Sequence, residues 1–280
     1  MGITSKIKNL IDSINTFNKI IIAYSGGVDS GLLTFLCKYL NKNVIAVTAV
    51  SELIPKEEIE YAKTFTKKYK IKHIFIKTNE LKNTKFTKNT IYRCYYCKTE
   101  LFSKLKKLKE KLNYDVIFDG VNLDDMKSDF RPGINAAYKF GIVHPYTEAK
   151  ITKQDIRKIA KKFNLPFWSK PAYPCLASRI PFGIEINKKI LNIVYNAEKI
   201  IKTFWQKFFR VRHHNEILRI ELNKKDIKNF ITKVDINKLI NKLKTLGYKF
   251  ITLDLEGYTP SGKRFINFMQ YELTKNTKRL

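Results

Sequence analysis

No stretch of the chain reaches the roughly 18 consecutive apolar residues of a membrane-spanning helix, so the protein is not expected to cross a membrane. The opening residues MGITSKIKNLIDSI are too polar for the core of a secretion signal, and Lys6 stands where an N-myristoylation pattern has Ser or Thr. A cytoplasmic protein is the expectation. Cysteine is scarce, four in 280 residues, at Cys37, Cys94, Cys97 and Cys175. Without a secretion signal these read as metal ligands or reactive thiols rather than disulfide partners. The sequence has no GxxxxGK[ST], which removes the Walker-type lysine that cradles a transferred phosphate. It also lacks internal repeats, and its Lys-rich runs, such as KLKKLKEKL, read as solvated helix faces. Acidic residues are few, 25 against 54 Lys and Arg, a formal net charge of +29.

What is present is ordinary for a folded protein, with 44% hydrophobic and 28% charged residues. The basic excess rises along the chain, from 26 basic against 15 acidic residues up to Lys150 to 28 against 10 beyond it. A field of this sign attracts polyanions and phosphate-bearing substrates, although a Lys-rich composition spread over solvated faces accounts for it equally well.

Lys19–Tyr24 is a short apolar run suited to a buried parallel strand, and Asp29–Leu40 then takes helical spacing. The alternation continues with Val44–Val50, Lys72–Lys77 and Val116–Gly120 as strands and Pro55–Tyr69 and Cys97–Leu112 as helices. Gly133–Phe140, Ile142–His144 and Thr152–Phe163 add helix, strand and helix, the last capped by Thr152. This pattern predicts an α/β fold with a doubly wound parallel sheet. Pro166–Gly183, holding four of the eight prolines, reads as a linker or active-site loop. Beyond it, a helix at Lys188–Lys207, strands at Phe208–Val211 and Ile217–Leu222, a helix at Ile236–Leu246 and a strand at Lys249–Leu255 predict a second, smaller α/β domain. The expected domains are residues 1–183 and 184–280.

Ser25-Gly26-Gly27-Val28-Asp29-Ser30 lies between the first strand and the first helix, where unpaired amides and the helix dipole favour an anion. The two glycines let the backbone close around phosphate oxygens, Ser25 and Ser30 offer hydroxyls, and Asp29 can hold Mg2+ against the phosphates. Cys94 and Cys97 stand three positions apart where a helix begins, and flanking Arg93 and Lys98 are expected to lower their thiol pKa values. Should the proline-rich loop fold back over the phosphate site, Cys175 would join them, giving three thiolates for an iron–sulfur cluster. Structural zinc is the competing reading, but it normally needs four protein ligands. Cys37, on the apolar face of the first helix, is expected to pack in the core.

SGGVDS resembles the signature of the ATP pyrophosphatase (PP-loop) superfamily, Rossmann-like enzymes that cleave ATP between the α and β phosphates and adenylate a substrate oxygen. With RCYYCK, PCLASRIPFG, the loop Ser51–Pro55, Asp119-Gly120 with Asn122, Asp124 and Asp125, the run Asp129-Phe130-Arg131-Pro132-Gly133, FRVRHH and LDLEGY, the chain resembles the LarE family of sulfur transferases almost end to end. These make the nickel-pincer nucleotide cofactor. The resemblance implies ATP and Mg2+, and a 4Fe-4S cluster on Cys94, Cys97 and Cys175 whose open iron carries the sulfide nucleophile. Members with a single cysteine at the place of Cys175 instead give up its sulfur. The implied substrate is pyridinium-3,5-biscarboxylic acid mononucleotide, its carboxylates adenylated and converted to thiocarboxylates.

Arg210 and Arg212, two apart on a strand, share one face and can clamp the substrate's phosphate or carboxylates, the alternative being an exposed strand face. Arg179 is a similar candidate, with Glu221 and Asp125 behind it. A sulfide source and a homo-oligomer are the expected partners. Three rival readings are a tRNA thiolase, which the charge suits but for which no RNA-binding module is recognisable, a non-catalytic nucleotide-binding protein with structural zinc, and an ammonia-using ligase with no use for the cysteines.

Overall fold

The structure is a computed structural model and describes residues 2–127 and 131–259; the Asp129-Phe130 part of the family motif lies outside them. The chain forms two compact units, Met1–Cys175 and Leu176–Leu280.

In the first unit β1 (Lys19–Ala23), β2 (Asn43–Val50), β3 (Lys72–Lys77) and β4 (Val116–Phe118) form a parallel sheet in the order β3-β2-β1-β4. Where the sequence predicts a strand at Ile142–His144, the chain makes a single bridge from Val143 to Phe118. Ile20 and Ile22 of β1 face one apolar core, shared with Leu10, Leu32 and Ile156, while Ile21 and Ala23 face another, shared with Phe102, Leu105 and Ala137. The central strand is thus covered on both sides, which is why Ile20–Ala23 is apolar at every position after Lys19. The helix Arg93–Leu112 begins one turn earlier than its periodicity indicates, which puts Cys94 and Cys97 inside its first turns. The helix Ile3–Asn15, not anticipated from the sequence, buries Leu10 and Ile14.

In the second unit β5 (Phe209–His214) pairs antiparallel with β6 (Ile217–Leu222), which pairs in parallel with β7 (Phe250–Leu253). The helix Lys188–Phe204 buries Leu191, Val194, Ala197 and Ile201, with Asn187 capping its start. Asp235 caps the helix Ile236–Lys244.

Candidate active site

The turn between β1 and the helix Val28–Tyr39 is drawn tight by its own side chains. Gly26 has φ +74°, a left-handed conformation that glycine adopts without steric cost. Ser25 N donates to Ser30 Oγ at 3.1 Å, the two hydroxyls lie 3.1 Å apart, and Gly27 N donates to Ser25 Oγ at 3.4 Å. The first-turn amides of the helix are left to face an anion, as a phosphate loop requires.

Close packing fixes this loop from below. A Cβ on Gly120, just past β4, would meet the Ser30 amide nitrogen at 2.8 Å and the Asp29 carbonyl carbon at 3.1 Å. A Cβ on Gly31 would meet the Phe167 ring at 2.7 Å. Both glycines are therefore space requirements of the loop, one against backbone and one against a core aromatic.

Asp29 takes the Lys153 ammonium as its ion partner, and Asn122 Nδ2 donates to its carboxylate at 3.5 Å. Tyr146 OH donates to its backbone carbonyl at 3.0 Å. Burial pushes the Asp29 carboxyl up from the usual range, and the Lys153 ammonium opposes that. Lys153 opens the helix Lys153–Lys162, which Thr152 caps in a reciprocal box with Asp155, as the sequence predicts for Thr152. Asp125 has the same local role, closing a capping box with Asn122 and pairing with Arg131 at 3.4 Å. A carboxylate of this kind beside the loop is the hard oxygen donor that a phosphate-bound Mg2+ uses.

The thiols gather in the same unit. Cys94 is exposed, Cys97 and Cys175 are partly covered, and none is in a disulfide. Cys94 and Cys97 lie one turn apart near the start of their helix, and the charges of Cys94 and Cys175 both raise the Cys97 thiol pKa. The sequence leads one to expect a lowered thiol pKa at Cys97, and the structure corrects this. Burial and the adjacent Glu80 carboxylate raise it well above the ordinary value, outweighing Lys98. Cys97 accordingly donates its S–H to Glu80 Oε1 at 3.7 Å. Arg93 is buried, its Nη1 donating to Asn89 Oδ1 at 2.6 Å. Among the described residues no three donors draw in closely enough to hold a metal ion. Cys37 is wholly buried in the core.

The comparisons fit this arrangement. Residues 2–96 match the family model described as NAD synthase. The chain is 40% identical over 260 residues to an uncharacterized protein of Synechocystis sp., covering 92% of this chain and 96% of that one. An uncharacterized protein of Methanocaldococcus jannaschii is 35% identical over 253 residues, 90% and 96% of the two chains. Pyridinium-3,5-bisthiocarboxylic acid mononucleotide synthase of Lactiplantibacillus plantarum is 30% identical over 259 residues, 91% of this chain and 92% of that protein. The chain belongs to the LarE family. With its phosphate loop, this LarE-family chain is supported as an ATP-using enzyme.

The candidate arginines lie in the second unit. Arg179, wholly buried, donates through Nε and Nη2 to the Glu198 carboxylate at 2.9 and 3.2 Å. Arg212 donates through Nε to Glu221 at 3.0 Å and through Nη1 to the Ser178 carbonyl at 2.7 Å. Glu221, itself wholly buried, also accepts from Arg219 Nη2 at 3.1 Å. Arg210 stacks over the Phe208 ring at 5.0 Å. Arg210 and Arg212 are both buried, so the exposed strand face considered from sequence does not describe them. Buried charge demands a partner, and these carboxylates supply it for Arg179 and Arg212.

Sequence reasoning missed Lys153, Glu80, Glu58 and Lys170. Lys153 and Asp29 are 124 residues apart, Lys170 and Gly26 are 144, and no motif links either pair.

Proposed function

We propose that this chain is an ATP-dependent sulfur transferase acting on the carboxylates of pyridinium-3,5-biscarboxylic acid mononucleotide. In this reading a substrate carboxylate oxygen attacks the α-phosphorus of ATP, and pyrophosphate departs. A sulfur nucleophile then attacks the acyl carbon of the adenylate, AMP leaves with the original oxygen, and a thiocarboxylate remains. Adenylation is what converts a poor leaving group into a good one. The observation that carries the reading is that the free thiols Cys94, Cys97 and Cys175 all lie in the unit that also bears the phosphate loop.

Ser25, Gly26, Gly27 and Ser30 would hold the phosphates through backbone and hydroxyl donors, and Asp29 would hold Mg2+ in exchange for Lys153. A Mg2+ held there would supply positive charge against the departing pyrophosphate. Arg179, Arg210 and Arg212 are assigned to the substrate's anionic groups, with Glu198 and Glu221 holding two of them in set orientations. The three cysteines are the thiolate donors a 4Fe-4S cluster uses, and we assign them to one. Binding it must draw the sulfurs closer and remove the proton that Cys97 gives to Glu80.

The test is ATP-dependent pyrophosphate release by anaerobically purified protein, offered either the pyridinium biscarboxylate mononucleotide or unmodified tRNA. Stimulation by the mononucleotide alone supports the reading. Stimulation by tRNA alone replaces it with tRNA thiolation.

A further inference from the structure

Enzymes that expel pyrophosphate must stabilise several negative charges as it leaves, and this phosphate loop contains no lysine of its own. Two lysines from elsewhere in the chain reach it, Lys153 on the Asp29 carboxylate and Lys170 on the loop's backbone. Lys170 Nζ lies 3.5 Å from the Gly26 carbonyl oxygen and donates to Glu58 Oε2 at 2.7 Å. Glu58 sits in the first turn of the helix Lys56–Lys68, the turn on which Gly26 rests, since a Cβ on Gly26 would lie 3.4 Å from the Glu58 carbonyl oxygen. The ammonium also sits 3.9 Å from the centre of the Tyr61 ring.

The backbone carrying Lys170 is anchored rather than left to a loose loop. Arg157 donates to the carbonyls of Trp168 at 2.6 Å and of Lys170 itself at 2.7 Å. Phe167, two residues before Trp168's successor, is wholly buried and packs into the space left by Gly31. The side chain, by contrast, keeps access to water, with 18% of its surface exposed. A fixed stem with a solvent-reached ammonium at a phosphate loop suits a cation that changes partner from a carboxylate to a phosphate.

We propose that Lys170 binds the β- and γ-phosphates of ATP and the departing pyrophosphate, and that Glu58 holds its ammonium at the loop until nucleotide arrives. The proposal rests on the ATP-using reading and adds to it the residue that replaces the absent loop lysine.

Calorimetric titration of the full chain with Mg-ATP, Mg-pyrophosphate and AMP tests it on the wild type, K170Q, E58Q and the double variant E58Q/K170Q. The double variant leaves no uncompensated charge, so it keeps the test open should K170Q fold poorly. In K170Q and in the double variant, affinity for ATP and pyrophosphate is expected to fall at least ~10-fold, the cost of losing a charge-assisted contact, with AMP affinity within about twofold. E58Q alone is expected to retain ATP affinity or strengthen it. The proposal is overturned if the lysine variants bind ATP and pyrophosphate as the wild type does, or if E58Q weakens ATP as much as K170Q, which would make the pair purely structural. A wild-type chain that binds neither ATP nor AMP overturns the ATP-using reading itself, and the proposal with it.

Discussion

Lys153 lays its ammonium on the Asp29 carboxylate, joining the start of the helix after Thr152 to the first turn of the phosphate-loop helix. The pair fills with protein charge the place where the reading puts a metal ion. Replacing Asp29 with Ala removes both the metal ligand and the lysine's partner. Pyrophosphate release is expected to drop at least ~100-fold, the usual scale for losing an electrostatic contact to the transition state, while the iron content of reconstituted protein is unchanged. A coupled pyrophosphate assay with iron analysis reads both. Full activity in this variant would remove Asp29 from the site.

Gly31 and Gly120 separate two kinds of crowding. Gly31→Ala drives a methyl against the Phe167 ring, an overpacking expected to cost about 1–3 kcal/mol in a urea titration while the loop keeps its shape. Gly120→Ala drives the methyl against the backbone of Asp29 and Ser30, which cannot rotate away. Its larger effect is expected on ATP affinity, measured by calorimetry. Equal loss of affinity in both variants would contradict this division.

Serine replacements at Cys94, Cys97 and Cys175 test the thiol set. Each alone is expected to lose iron, acid-labile sulfide and sulfur transfer, while ATP-dependent pyrophosphate release survives, because the phosphate loop uses none of them. If only Cys175→Ser loses transfer, the sulfur comes from that residue itself and the cluster assignment fails.

His73 predicts acid sensitivity. Its Nε2 and Nδ1 lie 2.8 and 2.9 Å from the hydroxyls of Thr48 and Thr66, and burial lowers its pKa to about 4. The unfolded chain, with histidine near 6.5, takes up the proton first. The stabilisation is therefore complete above pH ~6.5 and declines as pH falls toward ~4, through the window between the two values. His213 and His214 are lowered by burial as well and act in the same direction. The urea midpoint is expected to fall across this range, and His73→Gln to flatten part of the decline.

The alternation of short apolar runs with helical spacing let the sheet be read directly. Ile20–Ala23 is apolar at every position because both faces of the strand are covered, and Thr152 announced its helix through a capping pattern that needs only neighbours in sequence. The helix Ile3–Asn15 went unread although Ile3, Ile7, Leu10 and Ile14 carry its apolar stripe, since polar residues dominate the segment. The Cys97 thiol departs from its sequence expectation for a different reason. Its sequence neighbours are basic, but the carboxylate that reaches it comes from Glu80, on another turn of chain.

Sequence alone determined the parallel α/β architecture, the phosphate-loop motif and the Cys94–Cys97 pair, because each rests on periodicity or on residues a few positions apart, where local geometry decides. Tertiary structure decided what surrounds them. The pairing of Lys153 with Asp29, of Lys170 with Glu58 and of Arg179 with Glu198 depends on which distant segments pack together. So does the protonation of Cys97, because a pKa responds to the charges and burial that folding brings within a few ångströms, whatever their distance along the chain.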